Sequence, residues 1–182
     1  MDLLLSEKYL GLASLTILLT GLIFLVRKWP RDVYHTFSQH AATNKASTIY
    51  YTSLFTVVLP ILATFLFNWF VPAFNIPMIF TILISLSLIC QYVCTFVPEV
   101  GKNVKSHQVL AGVSGLLLLP SLAVFIYVPS IDQIDKIITI TSVVIMSGIV
   151  LQTSRRKTRY ALLLQSAYFI AFFAPIVAIS YI

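Results

Sequence analysis

Six long apolar runs divide this chain, and the charge of the short connections between them alternates. The runs cover approximately residues 9–26, 49–70, 76–97, 107–128, 136–151 and 160–182. A helix needs about 20 mostly apolar residues to cross a bilayer, so each run reads as one transmembrane α-helix, with 136–151 the shortest. The first connection carries Arg27, Lys28, Arg31 and Lys45, the third Lys102 and Lys105, and the fifth Arg155, Arg156, Lys157 and Arg159. These three loops hold ten of the twelve basic residues. The second has none, and the fourth sets Asp132 and Asp135 against Lys136. Six single crossings put all three basic loops on one side, and the bias of Lys and Arg toward cytoplasmic loops makes that side the cytoplasm. The expected fold is therefore all-α: one six-helix integral membrane bundle over 1–182, with N-terminus and C-terminus outside.

Composition agrees. The chain is 59% hydrophobic and 10% charged, whereas a soluble domain carries about a quarter charged residues. A net charge of +6 in a soluble protein would suggest nucleic acid; here the basic residues sit in short loops beside apolar runs, where orientation in the membrane explains them. Nucleic acid is accordingly not an expected partner; the lipid bilayer is. The segment before the first run carries Asp2, Glu7 and Lys8 and is not a basic signal-peptide n-region, so the first run is expected to remain as a span. Cys90 and Cys94 are four apart and stack on one helix face, a poor geometry for a mutual disulfide. Packing is their expected role, with a redox or a lipidated cysteine the alternative and Cys94, nearer the interface, the candidate for lipidation.

Each even-numbered run holds an interior proline followed three residues later by alanine: Pro60 and Ala63, Pro120 and Ala123, Pro175 and Ala178. The spacing suits three helical hairpins, with kinked helices around a cavity, because proline opens the hydrogen-bond ladder. Pro72 and Pro77 flank an expected tight turn over 71–75. In the fourth run, Ala111 and Gly115 form a small-xxx-small pair that suits close helix approach, within the bundle or in a homodimer.

No Asp, Glu, Lys or Arg lies in the interior of any run, which argues against a pump or ion-coupled carrier, since such mechanisms keep a charge there. The polar groups gather instead toward the basic loops. His35, Ser38 and His40 follow the first run, Glu99 and His107 flank the third connection, and Gln91 and Gln165 lie about two turns inside their helices. Gln91 and Gln165 are candidate ligand-binding residues; Ser38, His40, Glu99 and His107 are the candidate catalytic ones. A zinc site from His40, Glu99 and His107 has weak support, because His35 and His40, five apart, do not share a helix face. A Ser38 nucleophile paired with His40 or His107 lacks a nucleophile-elbow context. No cofactor motif is present. Val33, Phe37 and Ala41 recur every four residues, so a short amphipathic turn is expected over 31–38, lying in the interface.

The stretch Phe37-Ser38-Gln39-His40-Ala41-Ala42 resembles a patch of a prokaryotic family of small multi-pass proteins known only as a domain of unknown function. Phe96-Val97-Pro98-Glu99, followed by His107 at the start of the next helix, resembles that family's Phe-Pro loop and helix-initial histidine. The six-span layout is also distantly similar to the eukaryotic damage-regulated autophagy modulator group. The resemblance implies a fold and interest in Ser38, His40, Glu99 and His107, and no reaction; for a prokaryotic chain the expected location is the cell membrane.

Three functions fit these residues. The first is a non-enzymatic bundle that binds lipid or a small ligand, or supports a membrane-protein partner. The alternative is a membrane-embedded lipid hydrolase, with or without zinc, and the third an uncoupled carrier or channel. Orientation is directly measurable. In a background without the native cysteines, an impermeant thiol reagent applied to intact cells should label a cysteine at Asn75 and not one at Thr43; the reverse pattern would invert the topology.

Overall fold

The computed structural model describes the backbone of residues 2–155 and 160–182, with side chains over 7–153 and 160–182. The order is α1 (Asp2–Lys28), α2 (Phe37–Ala41), α3 (Lys45–Thr64), a π-helical stretch (Phe65–Phe70), α4 (Val71–Ala73), α5 (Met78–Thr95), α6 (Val104–Ala123), α7 (Gln133–Arg155) and α8 (Ala161–Tyr181). Short 3-10 turns precede and follow α6, at Gly101–Asn103 and Val124–Tyr127. Among the described residues, six helices are long and apolar enough to cross a membrane: Glu7–Lys28, Lys45–Ala73, Met78–Thr95, Gly101–Tyr127, Gln133–Thr153 and Ala161–Tyr181, here spans 1 to 6. Only 17% to 39% of the most apolar window of each span is buried. Most of each window is therefore left unburied or only partly buried, as lipid permits and water would not tolerate. Arg156, Lys157 and Arg159 lie outside the described residues.

A long apolar helix lies over each of the six expected runs, with two differences. The fifth is not short: α7 begins at Gln133, where the Asp132 carboxylate accepts the Asp135 N–H at 2.9 Å in the manner of an N-cap. The turn expected over 71–75 lies later, because α4 continues span 2 through Ala73. An α-helical Asn68 carbonyl would clash with the Pro72 ring; the wider π turn, in which Val71 N–H bonds Leu66 O, gives the ring room. The chain then reverses at Asn75, whose φ of 50° is one that asparagine tolerates.

The two ends of the bundle are built differently. Far from the basic loops, spans 2, 3 and 4 meet through Phe70, Phe80 and Phe125, all fully buried, with ring centroids 5.1 to 6.2 Å apart. Such pairs contribute about 0.5–1.5 kcal/mol each beyond packing. Span 1 joins this end: Lys8 sits over the rings of Trp69 and Tyr181, and the Tyr181 hydroxyl donates to Lys8 O.

Glycine sets the helix spacing in span 1, not in span 4. A Cβ at Gly11 would lie 2.6 Å from the Tyr181 hydroxyl oxygen, and one at Gly21 would lie 2.5 Å from a Leu54 methyl carbon. A Cβ at Gly112 meets nothing within 4 Å, and one at Gly115 only the Tyr168 hydroxyl oxygen at 4.0 Å. Within the bundle, Gly112 and Gly115 thus leave space beside span 4. Spans 3 and 4 are joined otherwise, by Ser87 and Ser114, each hydroxyl donating to the other's carbonyl at 2.9 and 3.0 Å. Pro60, Pro120 and Pro175 lie inside their helices; Pro60 and Pro120 are exposed, and Pro175 is buried. Gly21→Val should cost about 1–3 kcal/mol by overpacking, read as a lower melting temperature in detergent, while Gly112→Ala should leave that temperature nearly unchanged.

Candidate functional site

The basic end is organised by α2, which is five residues long and cannot stand alone. Thr36 and Gln39 close a capping box at its N-terminus. The amphipathic turn expected over 31–38 is displaced to this helix, because the box fixes its start at Phe37; Val33 is 43% exposed, whereas Phe37 and Ala41 are buried. Four neighbours hold α2 in place. Phe37 N–H donates to Gln165 Oε1 of span 6 at 2.9 Å. Its ring stacks on Phe169, centroids 6.4 Å apart. The His40 Nδ1 meets Trp29 O, past the end of span 1, at 3.1 Å. Ser47 and Thr48, opening span 2, both donate to Ala41 O, at 2.7 and 3.0 Å.

The fourth tie is Glu99. Its side chain, 5% exposed, accepts from Ser38 Oγ at 2.7 Å, Gln39 Nε2 at 3.1 Å and Gln108 Nε2 at 3.1 Å, with Thr36 Oγ1 at 3.4 Å. His107 Nε2 is 3.9 Å from Glu99 Oε2. A carboxylate in the span 3–4 connection thus gathers donors from the span 1–2 connection and from the first turns of span 4.

This geometry sorts the sequence candidates. Ser38, Glu99 and His107 come together. His40 does not join them: its Nδ1 faces a carbonyl, which can only accept, so Nδ1 carries the hydrogen, and the buried Nε2 has no partner. His35 stays in the loop, Nδ1 3.3 Å from Asp32 O. The zinc reading built on His40, Glu99 and His107 finds no support, since among the described residues no three His, Cys, Asp or Glu side chains are grouped to hold a metal.

Cys94 is a residue that sequence reasoning treated only as packing or lipidation. It is 2% exposed and its Sγ lies 3.4 Å from His107 Nδ1 and 3.6 Å from Nε2. Near-equal distances to both nitrogens put the sulfur against the ring between them, not in line with either lone pair. His107 Nδ1 is already committed to Val97 O at 2.5 Å. Ser38 bonds to Glu99 and to no histidine, and Cys94 meets the remaining ring nitrogen, Nε2, only at 3.6 Å and from beside the ring. The space enclosed beside Glu99 is about 10 Å³, room for a single water.

The larger spaces flank span 6. One, of about 480 Å³, lies among spans 3 to 6 and is lined by Gln91, Gln165, Thr36 and Thr153 together with Leu118, Tyr168 and Phe169. Ala111, Gly112 and Gly115 form part of its wall, the consequence of their missing bulk. Its volume falls in the range of small-ligand sites, roughly 300–1,000 Å³. Gln165 has spent its carbonyl on Phe37, so its NH2 group remains for a ligand. The second space, of about 390 Å³, lies between spans 1 and 6. None of Pro60, Pro120 and Pro175 lines either of these two spaces.

No family model, no curated protein and no solved structure matches this chain. Glu99→Ala should leave the buried Ser38 and the half-buried Gln39 short of an acceptor, while the exposed Gln108 can turn to water. The expected cost is about 1–3 kcal/mol for each group left unpaired, and the melting temperature should fall clearly more than for Glu99→Gln, which keeps one acceptor oxygen.

Proposed function

We propose that this chain is a multi-pass membrane protein that binds a small, uncharged amphipathic ligand between spans 3, 4, 5 and 6. The observation that carries the reading is the 480 Å³ cavity with Gln91 and Gln165 on its wall. The Gln165 NH2 group donates and the Gln91 amide adds a second polar group, which suits an uncharged polar head, and the Leu118 and Phe169 side chains suit an apolar tail. The termini face outward and the basic loops face the cytoplasm, supported by the sorting of ten of twelve basic residues into alternate connections. Spans pair as three hairpins, supported by the packing of α1 on α3, α5 on α6 and α7 on α8. Kinship with the prokaryotic family of small multi-pass proteins, and a place in the cell membrane, belong to the same proposal; Ser38, His40, Glu99 and His107 carry it.

The rival reading, hydrolysis of lipid headgroups, has the convergence of Ser38, Glu99 and His107 in its favour. Binding is preferred because Ser38 gives its hydrogen to Glu99 and the space beside them admits no substrate. In this reading Glu99 holds the cavity's neighbour α2, and the ligand sits in the cavity itself.

A photoreactive monoacylglycerol added to the purified chain should crosslink to the wall residues around Gln91 and Gln165. Gly112→Phe projects a ring into open space and should abolish that labelling without lowering the melting temperature. Gln165→Leu should weaken it roughly 2- to 10-fold, the worth of one hydrogen bond. Undiminished labelling in Gly112→Phe would contradict the reading.

A further inference from the structure

Spans 1 and 6 touch at one end and part at the other. At the far end Gly11 lets the Tyr181 hydroxyl come within 2.6 Å of where a Cβ would stand. At the basic end Phe37 sits between them on Phe169. The result is a groove of about 390 Å³ that runs from Arg27 to Leu18 on span 1 and from Leu162 to Phe173 on span 6. At about 1.5 Å per residue both walls are roughly 14–17 Å long, close to half of a ~30 Å hydrocarbon core. Its depth therefore matches one leaflet, on the side of the basic loops. The walls are apolar except for Ser166 and for Arg27 at the mouth. Arg27 forms no ion pair with any carboxylate among the described residues.

We propose that this groove seats one acyl chain of an anionic phospholipid of that leaflet, with the phosphate held by Arg27. A bilayer leaves no such groove empty, and of the occupants available only a lipid brings a chain of one leaflet's depth with a negative charge at its top. Arginine suits the role because its planar fork grips phosphate through two parallel bonds. The seat is separate from the cavity among spans 3 to 6, with the Phe169 ring in the wall of both.

The test uses the full chain in nanodiscs made from equal parts of phosphatidylglycerol and phosphatidylcholine, each in turn carrying a photoreactive acyl chain. Phosphatidylglycerol should label residues of the groove, Ile23 and Ile170 among them, about fivefold more than phosphatidylcholine, the ~1 kcal/mol worth of one basic residue at an anionic surface. Arg27→Gln should equalise the two lipids while leaving the total labelling in place, and Ser166→Trp should remove labelling by both. Equal labelling by the two lipids in the wild type would overturn the proposal. So would a preference that survives Arg27→Gln, or crosslinks from these positions to a second copy of the chain. The wild-type labelling map decides the matter even if a variant fails to fold.

Discussion

The buried carboxylate of Glu99 is the interaction on which the basic end depends. A six-span bundle has no hydrophobic force holding its helices to one another, because lipid is as apolar as their side chains. Packing and polar ties must do that work. At the far end they are aromatic and continuous, from Trp69 and Phe70 through Phe80 to Phe125. At the basic end one carboxylate collects Ser38, Gln39 and Gln108 and so fixes a five-residue helix that could not form by itself. Burying a carboxyl is costly unless its oxygens are satisfied, and here both are.

That small helix has consequences on both sides of span 6. Its Phe37 ring parts span 1 from span 6, and its backbone N–H orients Gln165 in the wall of the inner cavity. The glycines add to the asymmetry. Gly11 and Gly21 close span 1 against its neighbours, whereas Gly112 and Gly115 leave room beside span 4. Gly11 tightens the far end, and Gly21, in the basic half, seats span 1 on Leu54 of span 2 beside the groove.

Much of the architecture was legible in the sequence. Six spans follow from run length, and the gathering of polar groups at one end follows from where Gln91, Glu99, His107 and Gln165 fall relative to the basic loops. The site was legible only in part. Ser38 and Glu99 stand 61 residues apart, and nothing in either local pattern says that they meet while His40 turns away to Trp29. For the small-residue pair Ala111 and Gly115, spacing identifies absent bulk but cannot say whether a neighbour fills it: both residues line the cavity among spans 3 to 6. The π turn before Pro72 was hidden because the sequence shows the proline and not the wider turn that accommodates it.

The claim that Glu99 sets the geometry of the basic end is open to a direct distance measurement. Spin labels at Lys28 and Tyr160 report the basic ends of spans 1 and 6, and labels at Tyr9 and Ile182 report their far ends. Double electron–electron resonance on the full chain in nanodiscs should give one narrow distance for each pair in the wild type. With Glu99→Ala the Lys28–Tyr160 distribution should broaden and shift while the Tyr9–Ile182 distance stays in place. Unchanged distributions for both pairs in Glu99→Ala would contradict the claim.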